Sequence, residues 1–321
     1  MSGKAQVVSS SNSNTKVIKR PPKQPFSFKR MCKKNIGFFF IIPWLIGFIV
    51  FKAYPFISSL YYSFTDYNLF KGVTKYTLQN YIDVFTVASE KQALLVTFKY
   101  AFMTVPLKLI FALFIAYILN FKLKGVKFFR TAYYIPSILG GSVAIAVLWK
   151  ALFSDDGLIR SGFAAIGIDA PHFMSDPNWA LFMICLLRVW QFGSAMVVFL
   201  AALKGVPEDL YEAAALDGAS KTKQFFSITI PLITPVIFYN LVTQLVQAFQ
   251  EFNGPYIITK GGPLNSTTLM SLLIYNNAFS SYNMGKANAQ AWVLFVILMI
   301  FTAISFWSEK YWVYYADEDG R

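Results

Sequence analysis

The sequence is poor in charged residues, which make up only 14% of its 321 residues. A soluble chain carries roughly a quarter. Hydrophobic residues account for 56%, and phenylalanine alone occurs 33 times. The apolar residues also gather in long blocks, several of which reach the about 20 residues that a helix needs to cross a bilayer. This composition excludes an ordinary soluble domain and indicates a polytopic membrane protein.

Cysteine and histidine are equally scarce. The two cysteines, Cys32 in a basic tail and Cys185 in an apolar run, provide no disulfide framework, so we expect free thiols. The one histidine, His172, has no second histidine with which to form a paired metal site, and we expect it on the surface. The sequence also lacks a G-x-x-x-x-G-K-[ST] loop, an H-E-x-x-H motif and a Ser/His/Asp set. We therefore expect no metal, no cofactor and no catalytic site in this chain.

The net charge of +13 is unevenly distributed. Nine Lys or Arg residues fall within residues 1–35, no acidic residue accompanies them, and the apolar run Ile36–Phe51 follows directly. A basic cluster beside a span stays on the cytoplasmic side and is attracted to anionic lipid. The charge therefore orients a membrane protein and does not indicate nucleic-acid binding. Because no small-residue cleavage site follows the run, we expect a retained anchor and not a signal peptide.

Length and charge predict six transmembrane helices in an all-α membrane protein. The segments that alternate on one side carry 18 Lys or Arg residues in total, against 6 on the other side. Both termini are therefore expected in the cytoplasm. The predicted spans are 36–58, 94–121, 131–153, 178–204, 231–252 and 289–308. They give a disordered basic tail at 1–35, a transmembrane domain at 36–308 and a cytoplasmic tail at 309–321.

The cytoplasmic segment 205–231 is more than a connector. Pro207 suits the start of a helix. Two acidic residues follow in the first turn, where the positive end of the helix dipole stabilises negative charge. Gly218 supplies a stop, and Ser220 caps a second helix. We call this element the 205–231 hairpin. An interfacial helix lying on lipid is the alternative, although anionic lipid would repel its acidic first helix.

The spacing within the 205–231 hairpin resembles the EAA loop of ABC importer permeases. The family pattern is EAA, three residues, Gly, nine residues, Ile, any residue, Leu and Pro, and Ile230 replaces Leu here as the single departure. In the family this loop forms coupling helices that seat in a cleft of the ATPase subunit. The resemblance assigns ATPase coupling to Glu212, Ala213, Ala214, Asp217, Gly218, Ile228 and Pro231.

Residues 36–316 are similar to the sugar-permease branch of that family. The segments TAYYIPSILGGSVAIAVLWKALF (131–153), GGPLNSTTL (261–269) and the terminal WVYYAD carry this likeness. The chain departs from the maltose permease subunit because it lacks the large external insertion and two extra spans. The resemblance implies a type I ABC importer permease in the bacterial inner membrane. The implied partners are a second homologous permease, two ATPase subunits that bind ATP-Mg, an extracytoplasmic solute-binding protein and a carbohydrate substrate.

Polar residues inside the predicted spans indicate where a substrate passes. Asn240, Gln244, Gln247 and Glu251 form a stripe about 60° wide on one helix. Amides and carboxylates suit sugar hydroxyls, because each binds more than one hydroxyl. Hydrogen bonding that merely joins helices remains the alternative.

The predicted spans also contain two deep cations, Lys108 and Arg188. A deep cation requires a partner, for which Glu251 is a candidate. Alternatively, these cations favour an anionic substrate. Trp190 and Gln191 suit sugar stacking and hydrogen bonding, although a membrane tryptophan is also a packing residue.

The sequence leaves the substrate and two rival functions open. Alginate-type and rhamnogalacturonan-type oligosaccharides are the acidic candidates, and glycerol-3-phosphate remains possible. An ion-coupled secondary transporter is one rival, although it needs no docking hairpin. A membrane glycosyltransferase is the other, although the interfacial carboxylates that it needs are lacking.

Overall fold

The fold is that of a computed structural model, which describes residues 36–121 and 124–315. The described chain is mostly helical, and isolated bridges are its only β-type pairings. The predicted all-α class is therefore confirmed. The described residues exclude the tail at 1–35 with Cys32 and the terminal residues 316–321. The predicted disorder of the tail at 1–35 is therefore not tested.

Most of the connections between helices are short, and several helices begin or end in a π-helical turn. In chain order the helices are α1 Ile36–Phe48, α2 Tyr54–Ser63, α3 Gln79–Thr86, α4 Ala88–Asn120, α5 Val126–Leu139, α6 Val143–Phe153, α7 Leu158–Ala165, α8 Pro177–Trp190, α9 Gly193–Gly205, α10 Glu208–Leu216, α11 Lys221–Gln224, α12 Ile230–Phe249, α13 Met270–Tyr275 and α14 Met284–Trp312. The π-helical turns are Ile49–Ala53, Phe225–Thr229, Pro255–Thr259 and Asn276–Ser280.

The chain divides into two compact units, one ending at Phe56 and the other beginning at Ile57. In the first unit, the apolar side chains from Phe40 to Phe51 are mostly exposed, with Phe40 81% and Phe51 77% exposed. A helix that is apolar on every side is typical of a membrane span. The second unit contains α2 from Ile57 onward and all the later elements.

Within the described part of the chain, three helices are long and apolar enough to cross a membrane, namely Phe40–Ser63, α4 and α14. At 1.5 Å per residue, the 33 residues of α4 extend about 50 Å, more than the about 30 Å of a bilayer core. Three further pairs of helices pass the same test when each is taken together, which gives up to six spans. The count of six remains a prediction.

Each of those pairs is bent, which the prediction of continuous spans at 131–153 and 178–204 missed. The first pair bends by 101° after Leu139 and the second by 46° after Trp190. At the first break, the hydroxyl of Ser142 accepts the N–H of Ala144 and begins a new helix. The third pair bends by 67° at Ile233, beside two prolines that lack N–H donors.

Helix α4 lies at the centre of the second unit, where it packs against α8, α9 and α12. Its residues Ala101, Ala112 and Ala116 are fully buried, and such small side chains let helix backbones approach closely. Phe249 and Phe301 close the packing, since their rings lie 5.5 Å apart between centroids. This core holds the polar residues of α4 and α12 in place.

A network of two ion pairs joins α3, α4 and the start of α14. The ammonium of Lys286 contacts the Glu90 carboxylate and lies 3.6 Å from a carboxylate oxygen of Asp83. Glu90 is only 1% exposed, although it lies before the predicted span 94–121. Helix α4 begins at Ala88, before the first residue of the predicted span, and brings Glu90 into its first turn.

The connector between α2 and α3 rests on the start of α14. The N–H of Gly285 donates to the carbonyl of Tyr67 at 2.8 Å. Within the connector, the Thr74 hydroxyl and the N–H of Lys75 hold the pKa of Asp66 at about 2, below its ordinary value of 3.8. These hydrogen bonds join the Asp66 carboxylate to Thr74 and Lys75 across the connector.

Candidate functional site

A polar cluster lies where the bent helices break. We define the polar cluster as Lys108, Arg188, Gln191, Gln244, Gln247 and Glu251. The guanidinium of Arg188, near the end of α8, donates to the amide oxygen of Gln247 at 2.8 Å and to that of Gln191 at 3.1 Å. Its Nε lies 3.8 Å from Oε2 of Glu251. The suggested pairing of Glu251 with a deep cation is thus present at Arg188.

Lys108 finds a different partner. Its ammonium donates to the amide oxygen of Gln244 at 2.7 Å, which joins α4 to α12. Lys108 is 2% exposed and Gln244 5% exposed. Gln244 therefore forms a hydrogen bond that joins two helices, which was the alternative to a role in the pathway. Gln247 is exposed and Arg188 is half-buried, so these two side chains remain accessible.

The backbone at the breaks holds Gln191 and Glu251 in place. The amide NH₂ of Gln191 donates to the carbonyl of Gly140 at 3.1 Å, satisfying a group that the break leaves without a helical partner. A methyl group on Gly140 would lie 2.2 Å from the side chain of Gln191. Glu251 accepts the N–H of Gly254 at 3.1 Å, and its carbonyl accepts the hydroxyl of Ser271. The polar cluster is therefore held by backbone groups as well as by side chains.

A small cavity of about 40 Å³ opens beside the polar cluster, with Arg188, Gln191 and Glu251 in its wall. Tyr100 also lines it and is fully buried. A water needs about 10–15 Å³ of such space, so the cavity holds roughly three waters. It is too small for a sugar ring in this conformation.

Two residues proposed for the pathway lie apart from these contacts. The ring of Trp190 packs against Trp149 at 5.8 Å between centroids. This contact agrees with a packing role for Trp190, the alternative to sugar stacking. Asn240 is 2% exposed, and its amide nitrogen has no hydrogen-bond partner among the described residues. Within the predicted stripe, Asn240 and Gln244 are therefore buried, Glu251 is partly buried and Gln247 is exposed.

Sequence reasoning missed Gly140, Gly254, Tyr100 and Ser271. Candidate residues were recognised by a charge or a long amide side chain, which glycine and serine lack. Tyr100 lies among apolar residues in the sequence and was therefore not singled out. One usable signal was Gly-Gly-Ser at 140–142 inside an apolar run, because adjacent glycines mark a break in a helix. The contacts of Gly254 and Ser271 arise only from tertiary folding.

The 205–231 hairpin has the predicted helix, stop and cap. Helix α10 begins at Glu208, one residue after Pro207, and ends at Leu216. Gly218 has φ +77°, a left-handed conformation that ends helices, and its N–H donates to the carbonyl of Ala215 at 3.1 Å. The hydroxyl of Ser220 accepts the N–H of Lys223 and begins α11.

One face of the 205–231 hairpin is open. Leu216 is 90% exposed, and Glu212, Ala213, Asp217 and Gly218 are exposed beside it. The hydroxyls of Tyr211 and Thr229 lie 2.7 Å apart and join the two arms of the hairpin. The ring of Phe225 packs against Tyr117 of α4 at 4.7 Å between centroids and fixes the hairpin to the bundle. The hairpin is thus supported from behind while it presents small side chains and two carboxylates in front.

A larger cavity of about 1160 Å³ lies beside the same hairpin. Its wall includes Lys127, Arg130, Lys204 and Lys221 together with Glu212. It lies at the hairpin and shares no lining residue with the polar cluster. The two features therefore belong to separate regions of the second unit.

Comparison with known proteins identifies the family. A family model described as binding-protein-dependent transport system inner membrane component matches residues 89–312. The chain belongs to this family. The match confirms the predicted family and makes the chain a membrane-integral translocation subunit.

Relatives of this permease carry transport names. The probable ABC transporter permease protein YesP of Bacillus subtilis (strain 168) is 46% identical over 293 residues, covering 89% of this chain and 94% of the relative. The multiple sugar-binding transport system permease protein MsmF of Streptococcus mutans is 32% identical, with 87% and 96% covered. The sn-glycerol-3-phosphate transport system permease protein UgpA of Escherichia coli (strain UTI89) is also 32% identical, with 84% and 92% covered.

A solved structure matches the fold of this permease. A chain in the crystal structure of a bacterial alginate ABC transporter, in complex with an alginate pentasaccharide-bound periplasmic protein, superposes with a TM-score of 0.76. The identity is 20%, and the match covers 88% of this chain and 96% of that one. The predicted type I ABC importer permease fold is therefore confirmed.

Proposed function

We propose that this permease forms one half of the translocation pathway of an ATP-driven carbohydrate importer. Family membership supports the transport role, and MsmF supports the substrate class by its name. The single observation that carries the carbohydrate assignment is the polar cluster at the helix breaks. Three amides and a carboxylate there offer the donors and acceptors that hydroxyl groups require.

The 205–231 hairpin is the proposed docking element for an ATPase subunit. Leu216 and Ala213 are exposed, and a covering protein surface would remove them from water. The small alanine side chains allow a cleft to close around α10, while Glu212 and Asp217 suit basic groups on its walls. ATP-Mg is bound by two such ATPase subunits and not by this chain.

The complete importer has further proposed partners. A second, homologous permease supplies the other half of the pathway, and an extracytoplasmic solute-binding protein delivers the substrate. Both termini and the 205–231 hairpin lie on the cytoplasmic side, as the Lys and Arg distribution indicates. ATP-driven closure of the ATPase pair then moves the hairpins and alternately exposes the polar cluster to the two sides.

The proposed roles divide by position. Glu212, Ala213, Ala214, Asp217, Gly218, Ile228 and Pro231 form the coupling element. In the pathway, Arg188, Gln247 and Glu251 contact substrate, with Gln191, Gln244 and Lys108 behind them. Asn240 and Trp190 support the helices through buried packing.

Uptake in proteoliposomes tests this function. The purified importer, with its binding protein enclosed on the correct side, is expected to accumulate labelled carbohydrate only when ATPase subunits and ATP are both present. Uptake driven by an ion gradient without ATPase would establish the secondary transporter instead. Release of a glycosylated product without accumulation would establish the glycosyltransferase.

A further inference from the structure

The cavity of about 1160 Å³ beside the 205–231 hairpin receives positive charge from three helices. Lys127 and Arg130 lie three residues apart on α5, a spacing that places both side chains on one helix face. Lys204 lies in the last turn of α9, and Lys221 begins α11. Within the described part of the chain, none of these four cations forms an ion pair.

Two carboxylates balance this charge only in part. Among the described residues of the wall, Glu208 and Glu212 are the acidic ones, so four cations face two carboxylates. Lys127, Lys204 and Lys221 are exposed, and burial therefore does not oppose their charged form. The cavity thus carries a net positive charge, which favours an anionic ligand.

Arg130 is fixed in this wall and still has donors to offer. Its Nη2 donates to the carbonyl of Leu119 at 3.3 Å, one of the last four carbonyls of α4, which lack a helical N–H partner. Its Nε is buried and has no hydrogen-bond partner among the described residues. An unsatisfied buried N–H is costly, and a planar guanidinium matches the oxygens of a phosphate. Arg130 therefore indicates a ligand that bears a phosphate.

The same cavity has an apolar side at the membrane boundary. Helix α4, which is long enough to span a membrane, ends there, and so does α9. The apolar and aromatic side chains of its wall are Tyr117, Phe121, Val126, Leu203, Val206 and Phe225. A soluble phosphate compound leaves such surface in contact with water, whereas the acyl chains of a phospholipid cover it.

We propose that this cavity binds an anionic phospholipid from the leaflet on the side of the 205–231 hairpin. The phosphate contacts Arg130 and the neighbouring lysines, while the glycerol and the upper acyl carbons lie against the aromatic side chains. Basic pockets between membrane helices bind headgroups of this class. The cavity exceeds the about 300–1,000 Å³ of a small-molecule site, which leaves room for a headgroup together with the start of its chains.

The bound lipid joins the hairpin to the bundle. The wall contains Tyr211 of α10 and Lys221 of α11 together with Asn120 of α4 and Leu203 of α9. A ligand that contacts all of these helices opposes separation of the hairpin from the helix ends, because a ligand stabilises the state that binds it. The lipid therefore stabilises the position of the element proposed to dock the ATPase.

Lipid binding to the purified permease–ATPase complex tests the proposal. The complex is titrated in neutral detergent with phosphatidylglycerol, and the bound lipid is measured by native mass spectrometry. We expect phosphatidylglycerol to bind about tenfold more tightly than phosphatidylcholine with the same acyl chains. Glycerophosphoglycerol, its deacylated form, distinguishes a lipid from a soluble phosphate, and we expect no displacement of the lipid at equal concentration.

Variants two residues apart on α11 separate this cavity from other basic surfaces. Lys221→Gln removes a cation from the wall and is expected to weaken binding of phosphatidylglycerol severalfold. Lys223→Gln removes an exposed cation that is not part of the wall, so binding stays unchanged. Arg130→Gln is expected to cause a larger loss. Glu208→Gln removes a negative charge from the wall and strengthens binding, which keeps the test valid where Arg130→Gln fails to fold.

Hydrogen exchange measures the effect on the hairpin. With phosphatidylglycerol bound, the amides of residues 208–224 are expected to exchange severalfold more slowly in the unchanged protein and in Lys223→Gln. The slowing should be smaller in Lys221→Gln. Exchange that does not change on binding would show that the lipid does not join the hairpin to the bundle.

Three results would overturn the inference. They are equal binding of the two lipids, displacement by glycerophosphoglycerol at equal concentration, and equal affinity in Lys221→Gln and Lys223→Gln without a gain in Glu208→Gln. Displacement would assign the cavity to a soluble phosphate compound instead. None of these measurements uses a transported substrate, so their failure leaves the proposed carbohydrate import intact.

Discussion

Gly193 begins α9 where this helix passes close to the backbone of α5. A methyl group at Gly193 would lie 2.3 Å from the carbonyl oxygen of Tyr133, and a backbone oxygen cannot move aside as a flexible side chain does. We predict that Gly193→Ala destabilises the protein by about 1–3 kcal/mol, because overpacking forces the helices apart. A lower melting temperature of the purified protein would measure this.

Gly141→Ala is the matched control for that change. Nothing lies within 4 Å of the added methyl group at Gly141, so the same substitution meets open space. An unchanged melting temperature is expected there. If the two variants melted at the same temperature, close contact between α5 and α9 would not limit stability.

The sequence predicted the contact partner of some single residues and not of others. Glu251 was a candidate partner for Arg188 because a deep cation needs a countercharge, and the two side chains do meet. Lys108 instead bonds to Gln244, 136 residues away along the chain. Choosing between these partners depends on the rotation of α4 against α12, which spacing within one helix does not determine.

Helix α13 is fixed at its start by a side chain of α4. The N–H of Met270 donates to the hydroxyl oxygen of Thr97 at 2.8 Å, and both residues are fully buried. Thr97→Val keeps the shape but leaves this buried N–H without an acceptor. We predict a loss of about 1–3 kcal/mol, seen as faster hydrogen exchange at α13 and a lower melting temperature.

Thr97→Ser is the control, because serine keeps the hydroxyl acceptor. It is expected to protect the N–H of Met270 from exchange nearly as well as threonine does. Equal exchange rates in the valine and serine variants would mean that the hydroxyl does not hold α13.

The turn of the 205–231 hairpin depends on the left-handed conformation of Gly218. A β-branched residue is strained at φ +77°, although no atom lies within 4 Å of the added carbon. We predict that Gly218→Val uncouples the importer, lowering transport severalfold while ATP hydrolysis continues. The measurement is the ratio of substrate imported to ATP hydrolysed in proteoliposomes.

Gly205→Val provides the comparison for this variant. Gly205 ends α9 in open space with an ordinary helical backbone, so no strain is expected. Its transport ratio should equal that of the unchanged protein. Normal coupling in Gly218→Val would count against the proposed docking role of the hairpin.

The sequence predicted helix boundaries correctly where residues close in the chain determine them. The proline, glycine and serine of the 205–231 hairpin fixed its start, stop and cap within a few residues. The bends at Leu139 and Trp190 were missed, because apolar length alone predicted continuous spans. Burial of Glu90 was missed for a related reason, since its pairing with Lys286 joins segments far apart in the chain.

At the scale of the whole molecule, the asymmetry of Lys and Arg predicts the orientation of the chain in the membrane. Its direct test uses two exposed leucines, Leu216 in the 205–231 hairpin and Leu264 between α12 and α13, which are 90% and 82% exposed. Each is changed singly to cysteine in a background carrying Cys32→Ser and Cys185→Ser. A membrane-impermeant maleimide then reports which side each position faces.

With both termini in the cytoplasm, Leu264→Cys is expected to react in intact cells and Leu216→Cys only in inside-out vesicles washed free of ATPase. Adding the ATPase back should then slow labelling at Leu216→Cys about tenfold or more, because docking covers the hairpin, while the same vesicles without added ATPase provide the unprotected control. Labelling of Leu216→Cys from outside intact cells would reverse the topology. Undiminished labelling in the presence of bound ATPase would place the docking surface elsewhere on this face.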